Sequence, residues 1–122
     1  MNIIIDTHIF IWLLKKPEKL EPEHIQILKS PHEFFLSSIS IAEMMIKSSI
    51  GKLNVNYDLV DMALQSGLKL LDFSAQDANY LKKLPLHHKD LFDRMLIAQS
   101  LCLSMPIMTC DNKFKYYECD LI

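Results

Sequence analysis

The chain has 122 residues, half of them hydrophobic, with two Gly and five Pro; it has the length for one compact domain and is neither disordered nor a linker-rich array. Its 13 basic and 15 acidic residues give a net charge of −2, which excludes the broad basic footprint of many nucleic-acid binders, although a cation neutralising four carboxylates would leave a slight basic excess. The longest uninterrupted apolar stretch, Ile9 to Leu14, is far short of the roughly 18 residues of a membrane span, and the amino terminus lacks a basic start with a cleavage site. Cys102, Cys110 and Cys119 have neither the number nor the spacing of a disulfide framework or a zinc knuckle. The expectation is a cytoplasmic protein with reduced thiols, no membrane association and a single domain over residues 1–122.

Asn2 to Ile5 is a short apolar run of the kind that forms a strand buried on both faces. Thr7 can cap the helix that follows, "THIFIWLLKK", whose Lys15 and Lys16 suit its negative end before Pro17. "PEHIQILKS" predicts a second helix opened by Pro22, and "EFFLSS" a second strand. "SISIAEMMIKSSIGKL" carries a helical apolar stripe ended by Gly51, with Ser40, Glu43 and Lys47 on another face. "YDLVDMALQSG" repeats that logic and ends at Gly67; "LKLLDF" predicts a third strand and "SAQDANYLKKL" a short capped helix. After Pro85, "LHHKDLFDRMLIAQSLCLS" leads into a helix apolar over most of its circumference, then "IMTCD" predicts a fourth strand and "CDLI" a fifth. Strand alternating with helix predicts an α/β fold, a three-layer α/β/α sandwich on a mainly parallel sheet of four to five strands.

In such sheets the working crevice lies outside the carboxyl ends of the strands. Asp6 follows the first strand and Asp111 the fourth, while Glu43 and Asp93 sit near helix starts. Each also has a plain structural reading. Asp6 can cap a helix, Glu43 lies three residues after Ser40 in a capping-box spacing, Asp93 can be a first-turn charge capped by Asp90, and Asp111 in "CDNK" suits an Asx-turn. Asp93 also lines up with Leu96, Ile97 and Ser100 rather than with a solvated face. Clustered carboxylates raise one another's pKa unless a cation neutralises them, and all-oxygen ligands suit Mg²⁺ or Mn²⁺.

At these positions the sequence resembles a PIN domain, specifically the VapC-type ribonuclease toxin of bacterial toxin–antitoxin pairs, over nearly the full chain. The resemblance rests on "IIIDTHIFIWLL", "SSISIAEMMIKSSIGKL", "LPLHHKDLFDRMLIAQSL" and "PIMTCDNKFKYY", matched together in order and spacing. The family's acidic positions carry over to Asp6, Glu43, Asp93 and Asp111, which the resemblance implies are both catalytic and metal-holding, with Asp90 beside them as a cap or supporting group. It also implies a PIN-like fold, Mg²⁺- or Mn²⁺-dependent endonucleolytic cleavage of RNA, a VapB-type antitoxin partner and a homodimer. Thr7, Lys47, Arg94 and Thr109 are candidate supporting or substrate-binding residues; Lys47 and Arg94 can equally form ordinary surface pairs, and Thr109 can simply pack.

His87 and His88 have no third ligand at zinc spacing, His8 can pack or touch substrate, the methionines suit core and partner surfaces, and Trp12 suits a core or interface anchor. A phosphohydrolase with Asp6 as nucleophile wants D-x-D, where His8 stands, and a receiver domain wants an acidic neighbour that Asp6 lacks. The remaining alternative is a degenerate PIN fold acting as a non-catalytic RNA- or protein-binding module.

Overall fold

The computed structural model describes residues 1–86 and 90–122. Four strands, β1 (Asn2–Ile5), β2 (Glu33–Ser37), β3 (Lys69–Leu71) and β4 (Ile107–Met108), form an all-parallel sheet in the order β3-β2-β1-β4. Six α-helices lie between them: α1 (Thr7–Lys15), α2 (Pro22–Leu28), α3 (Ser38–Ser49), α4 (Leu59–Gln65), α5 (Ala75–Tyr80) and α6 (Leu91–Leu103). The carboxyl-terminal segment expected as a fifth strand contributes a single parallel bridge, Leu121 to Ile107, among the described residues.

The three isoleucines of β1 explain the layering. All are fully buried, and a strand turns successive side chains to opposite faces, so each face of the sheet must be covered. Ile3 and Ile5 enter a core with Phe10 of α1, Leu36 of β2, Met44 of α3 and Leu59 of α4; Ile4 enters a second core with Leu96 and Ile97 of α6, Ile107 and Phe114. Helix α6 is correspondingly buried through five consecutive residues, Leu96 to Ser100, as its apolar circumference requires.

Helix ends follow local chemistry. Ser37 caps α3 by accepting from Ile39 N–H at 3.1 Å, Asp58 caps α4, Asp90 caps α6 by accepting from Asp93 N–H at 3.0 Å, and Ser74 and Asp77 form a reciprocal capping box on α5. Gly51 and Gly67 follow α3 and α4 with φ of +78° and +82°, the left-handed conformation that terminates a helix at little cost only in glycine. Two expected caps differ. Thr7 is the first helical residue of α1 and its hydroxyl donates to Ser40 instead of accepting from an N–H of the helix, while Asp6 holds the cap position without a side-chain capping bond. Since Ser37 is the cap of α3, Ser40 lies inside the helix and makes no capping box with Glu43.

The strand order sets the site. From β1 the chain moves outward through β2 to β3, then returns to place β4 on the other side of β1. The reversal opens a crevice at the carboxyl ends of β1 and β4, where Asp6 and the segment Thr109–Asp111 emerge.

Candidate functional site

Asp6 is held by the sheet itself. Its backbone N–H donates to Met108 O at 3.0 Å, and its Oδ2 accepts from the Thr109 hydroxyl at 2.8 Å. Thr109 Oγ1 in turn accepts from Asp111 N–H at 3.0 Å, so one hydroxyl fixes both acid-bearing strand ends. The Asp111 carboxylate accepts from Lys113 N–H at 2.9 Å, which is the expected Asx-turn and opens a 3₁₀ turn over Asn112–Tyr116.

Thr7 and Ser40 bring in the third element. Both are buried, and the 2.8 Å bond between their hydroxyls ties the start of α1 to the inside of α3. Glu43 lies one turn beyond Ser40 and is 2% exposed. Lys47, the next turn along, donates to Glu43 Oε2 at 2.6 Å, so the i,i+4 pair and the orienting role are one contact. Asp93 arrives from the first turn of α6, half-buried, behind its cap Asp90.

Electrostatics places the four acids in a common field. Burial first, then the charges of Asp6, Asp90, Glu43 and Asp111, push the Asp93 carboxyl up to about 8. Burial also raises Asp6, with Glu43 adding to the effect and the Thr109 bond, the His8 charge and the Thr7 amide opposing it. The Lys47 ammonium is raised, chiefly by its bond to Glu43, with Asp90 and Asp93 contributing.

Two oxygens in this field, Asp6 Oδ1 and Glu43 Oε1, are buried and make no hydrogen bond among the described residues. A carboxylate oxygen in that state is costly to keep ionised, and an oxygen-seeking divalent cation fits it. Among the described residues no three of the four acids bring an oxygen each within 4.8 Å of one another. An ion of the Mg²⁺ type ordinarily takes one or two carboxylates directly and meets further ones through its bound waters.

Arg94 turns to neighbours in the fold: its Nη1 donates to Pro85 O at 3.0 Å and lies 3.4 Å from the Tyr117 hydroxyl. His8 is exposed, with its ring 6.2 Å from that of half-buried Trp12. His87 and His88 lie outside the described residues. Two features escape sequence reasoning. The bond between Thr7 and Ser40 has no signal beyond the alignment of Ser40 with Glu43, and the approach of Glu21 and His24 to Cys110 has none, since 86 positions separate His24 from Cys110.

A parallel α/β sheet carrying acids at the carboxyl ends of the adjacent strands β1 and β4 defines the class. The PIN domain model matches residues 3–118, and the chain belongs to the PIN domain family. No curated protein matches the sequence significantly. In three dimensions the chain is similar to one in the crystal structure of VapBC2 from Rickettsia felis bound to a DNA fragment from their promoter, at 20% identity and a TM-score of 0.76, covering 100% of this chain and 98% of that one. It is also similar to a chain of VapBC-1 from nontypeable Haemophilus influenzae (22%, TM-score 0.70, coverage 100% and 97%) and of VapBC-5 from Mycobacterium tuberculosis (15%, TM-score 0.62, coverage 99% and 95%). Likeness at these identities establishes a shared fold, which here includes the all-parallel four-stranded sheet. No helix among the described residues is long and apolar enough to cross a membrane.

Proposed function

We propose that this PIN domain is a VapC-type toxin, a Mg²⁺- or Mn²⁺-dependent endoribonuclease of the cytoplasm, one domain over its length, that works as a homodimer and is neutralised by a VapB-type antitoxin. The observation that carries the reading is the pair of buried oxygens without a hydrogen bond, Asp6 Oδ1 and Glu43 Oε1, in the crevice where Asp93 senses every other acid. The neighbouring folds support the partner, being described as VapBC and as a toxin-antitoxin complex from Klebsiella pneumoniae.

Asp6, Glu43, Asp93 and Asp111 are the residues that would hold the ion. When bound it supplies water activation and charge stabilisation at a scissile phosphate. The chain's own contribution is orientation: Thr109 fixes the Asp6 carboxylate through one oxygen and leaves the other open, and Lys47 does the same for Glu43. Thr7 braces α1 against α3 beneath them, and Asp90 fixes the first turn of α6 behind Asp93. Arg94 ties the first turn of α6 to Pro85 through its bond to the Pro85 carbonyl.

Incubation with mixed structured RNA and Mg²⁺ or Mn²⁺ tests the reading. The expected result is endonucleolytic cleavage that chelator abolishes and that Asp6→Asn and Asp93→Ala each lose, together with growth arrest on expression that the same variants relieve. RNA retention without cleavage by wild type would instead identify a non-catalytic binding module, and equal cleavage by wild type and Asp6→Asn would remove the assigned site.

A further inference from the structure

A second set of ligating side chains meets where α2 faces the end of β4. His24 is 4% exposed, and its Nε2 lies 2.8 Å from the main-chain oxygen of Ile122. That oxygen can only accept, so Nε2 carries a ring proton and Nδ1 is the nitrogen placed to bind an ion. Nδ1 lies 3.7 Å from Cys110 Sγ. Glu21, just before α2, hydrogen-bonds the same thiol through its carboxylate. One ligand atom from each of Glu21, His24 and Cys110 lies within 4.8 Å of the other two. The edges of a tetrahedral zinc shell are about 3.3–3.8 Å for bonds of ~2.0–2.3 Å, so small side-chain rotations close the triangle. The three residues line a cavity of about 240 Å³, which has room for a fourth ligand such as water.

We propose that Glu21, His24 and Cys110 form a binding site for a borderline-soft divalent ion, Zn²⁺ foremost, separate from the all-oxygen crevice of Asp6 and Glu43. One sulfur, one imidazole nitrogen and one carboxylate select Zn²⁺ over Mg²⁺, because thiolate and imidazole are poor ligands for the harder ion. The hydrogen bond from Nε2–H to Ile122 is the outer contact that metal-bound histidines usually make, and it orients the ring before any ion arrives. On binding, the Cys110 thiol gives its proton to solvent and the sulfur bonds the ion. Occupancy would tie the start of α2 to the residue between Thr109 and Asp111.

Titration of the full chain with Co²⁺ as a Zn²⁺ surrogate tests this, because thiolate ligation produces a near-ultraviolet charge-transfer band that carboxylate ligation does not. The expected result is one equivalent of the band-forming ion, displaced by Zn²⁺ and not by Mg²⁺. Cys110→Ser loses the band, exposed Glu21→Gln weakens binding about tenfold or more, and Cys102→Ser keeps both band and affinity. Asp6→Asn also keeps the band, so failure here and failure of the nuclease reading are separable. Absence of the band in wild type, its survival in Cys110→Ser, or unchanged affinity in Glu21→Gln would reduce the cluster to a hydrogen-bonded trio and overturn the proposal. Circular dichroism of each variant confirms the fold, and Glu21→Gln stands as the deciding variant if Cys110→Ser does not fold.

Discussion

The Thr109 hydroxyl donates to Asp6 Oδ2 at 2.8 Å across 103 positions of chain, joining the ends of two adjacent strands by a single buried bond. The Thr109 hydroxyl oxygen also accepts from Asp111 N–H, so its removal strands a buried acceptor and a backbone donor together. Thr109→Val preserves shape and deletes only the hydrogen bonds; it is expected to cost about 1–3 kcal/mol. Urea denaturation measures the loss, and Thr109→Ser should recover most of it. A neutral Val variant would mean that water satisfies Asp6 in the fold.

Asp93 gives the metal-free protein a pH dependence whose sign can be stated. Its carboxyl titrates near 3.8 in an unfolded chain and near 8 in the folded one, so between those values the folded state binds more protons. Stability from this group is therefore complete below about pH 4 and is lost as pH rises towards about 8. Asp6, also raised, contributes with the same sign. Melting temperatures in chelator should fall across that window, and Asp93→Asn should flatten the slope. Mg²⁺ should flatten it too, by stabilising the ionised form.

Lys47 is a resident cation for Glu43, with about a third of its side chain in solvent. Lys47→Met removes the partner of Glu43 Oε2 and is expected to cost about 1–2 kcal/mol, less than a fully buried pair because solvent already screens the ammonium. Added Mg²⁺ should stabilise this variant more than wild type in thermal melts. An equal response in the two proteins would show that Glu43 does not take part in holding the ion.

Gly67 offers a control remote from the acids. Its φ is +82° and a methyl group there would meet nothing within 4 Å, so Gly67→Ala is opposed only by its backbone conformation, at about 1 kcal/mol. Gly67→Asn should cost less, since Asn tolerates the left-handed region. Denaturation should show the difference while RNA cleavage stays unchanged.

Much of this was legible because it is local. Three isoleucines before an acid mark a strand sealed on both faces, Ser74 and Asp77 mark a capping box, and Gly51 and Gly67 mark helix ends; each signal spans a few residues. The acids were legible as strand-end and helix-start positions, but their shared field depends on β4 returning beside β1. Thr7 misled because a hydroxyl before an apolar helix suits a cap equally well, and only the approach of α3 reveals Ser40 as its partner. Arg94, Glu21 and His24 find partners through tertiary packing, which no spacing encodes.

The sheet order also bears on synthesis. The inner strand β1 leaves the ribosome long before β4, the neighbour that pairs with its other edge: 103 positions separate Asp6 from Thr109. Pairings of such long sequence separation form late, because the chain between them must first give up its freedom. A growing polypeptide thus carries Asp6 for about a hundred further residues without Thr109 to aim it, and the crevice takes shape only once β4 has emerged.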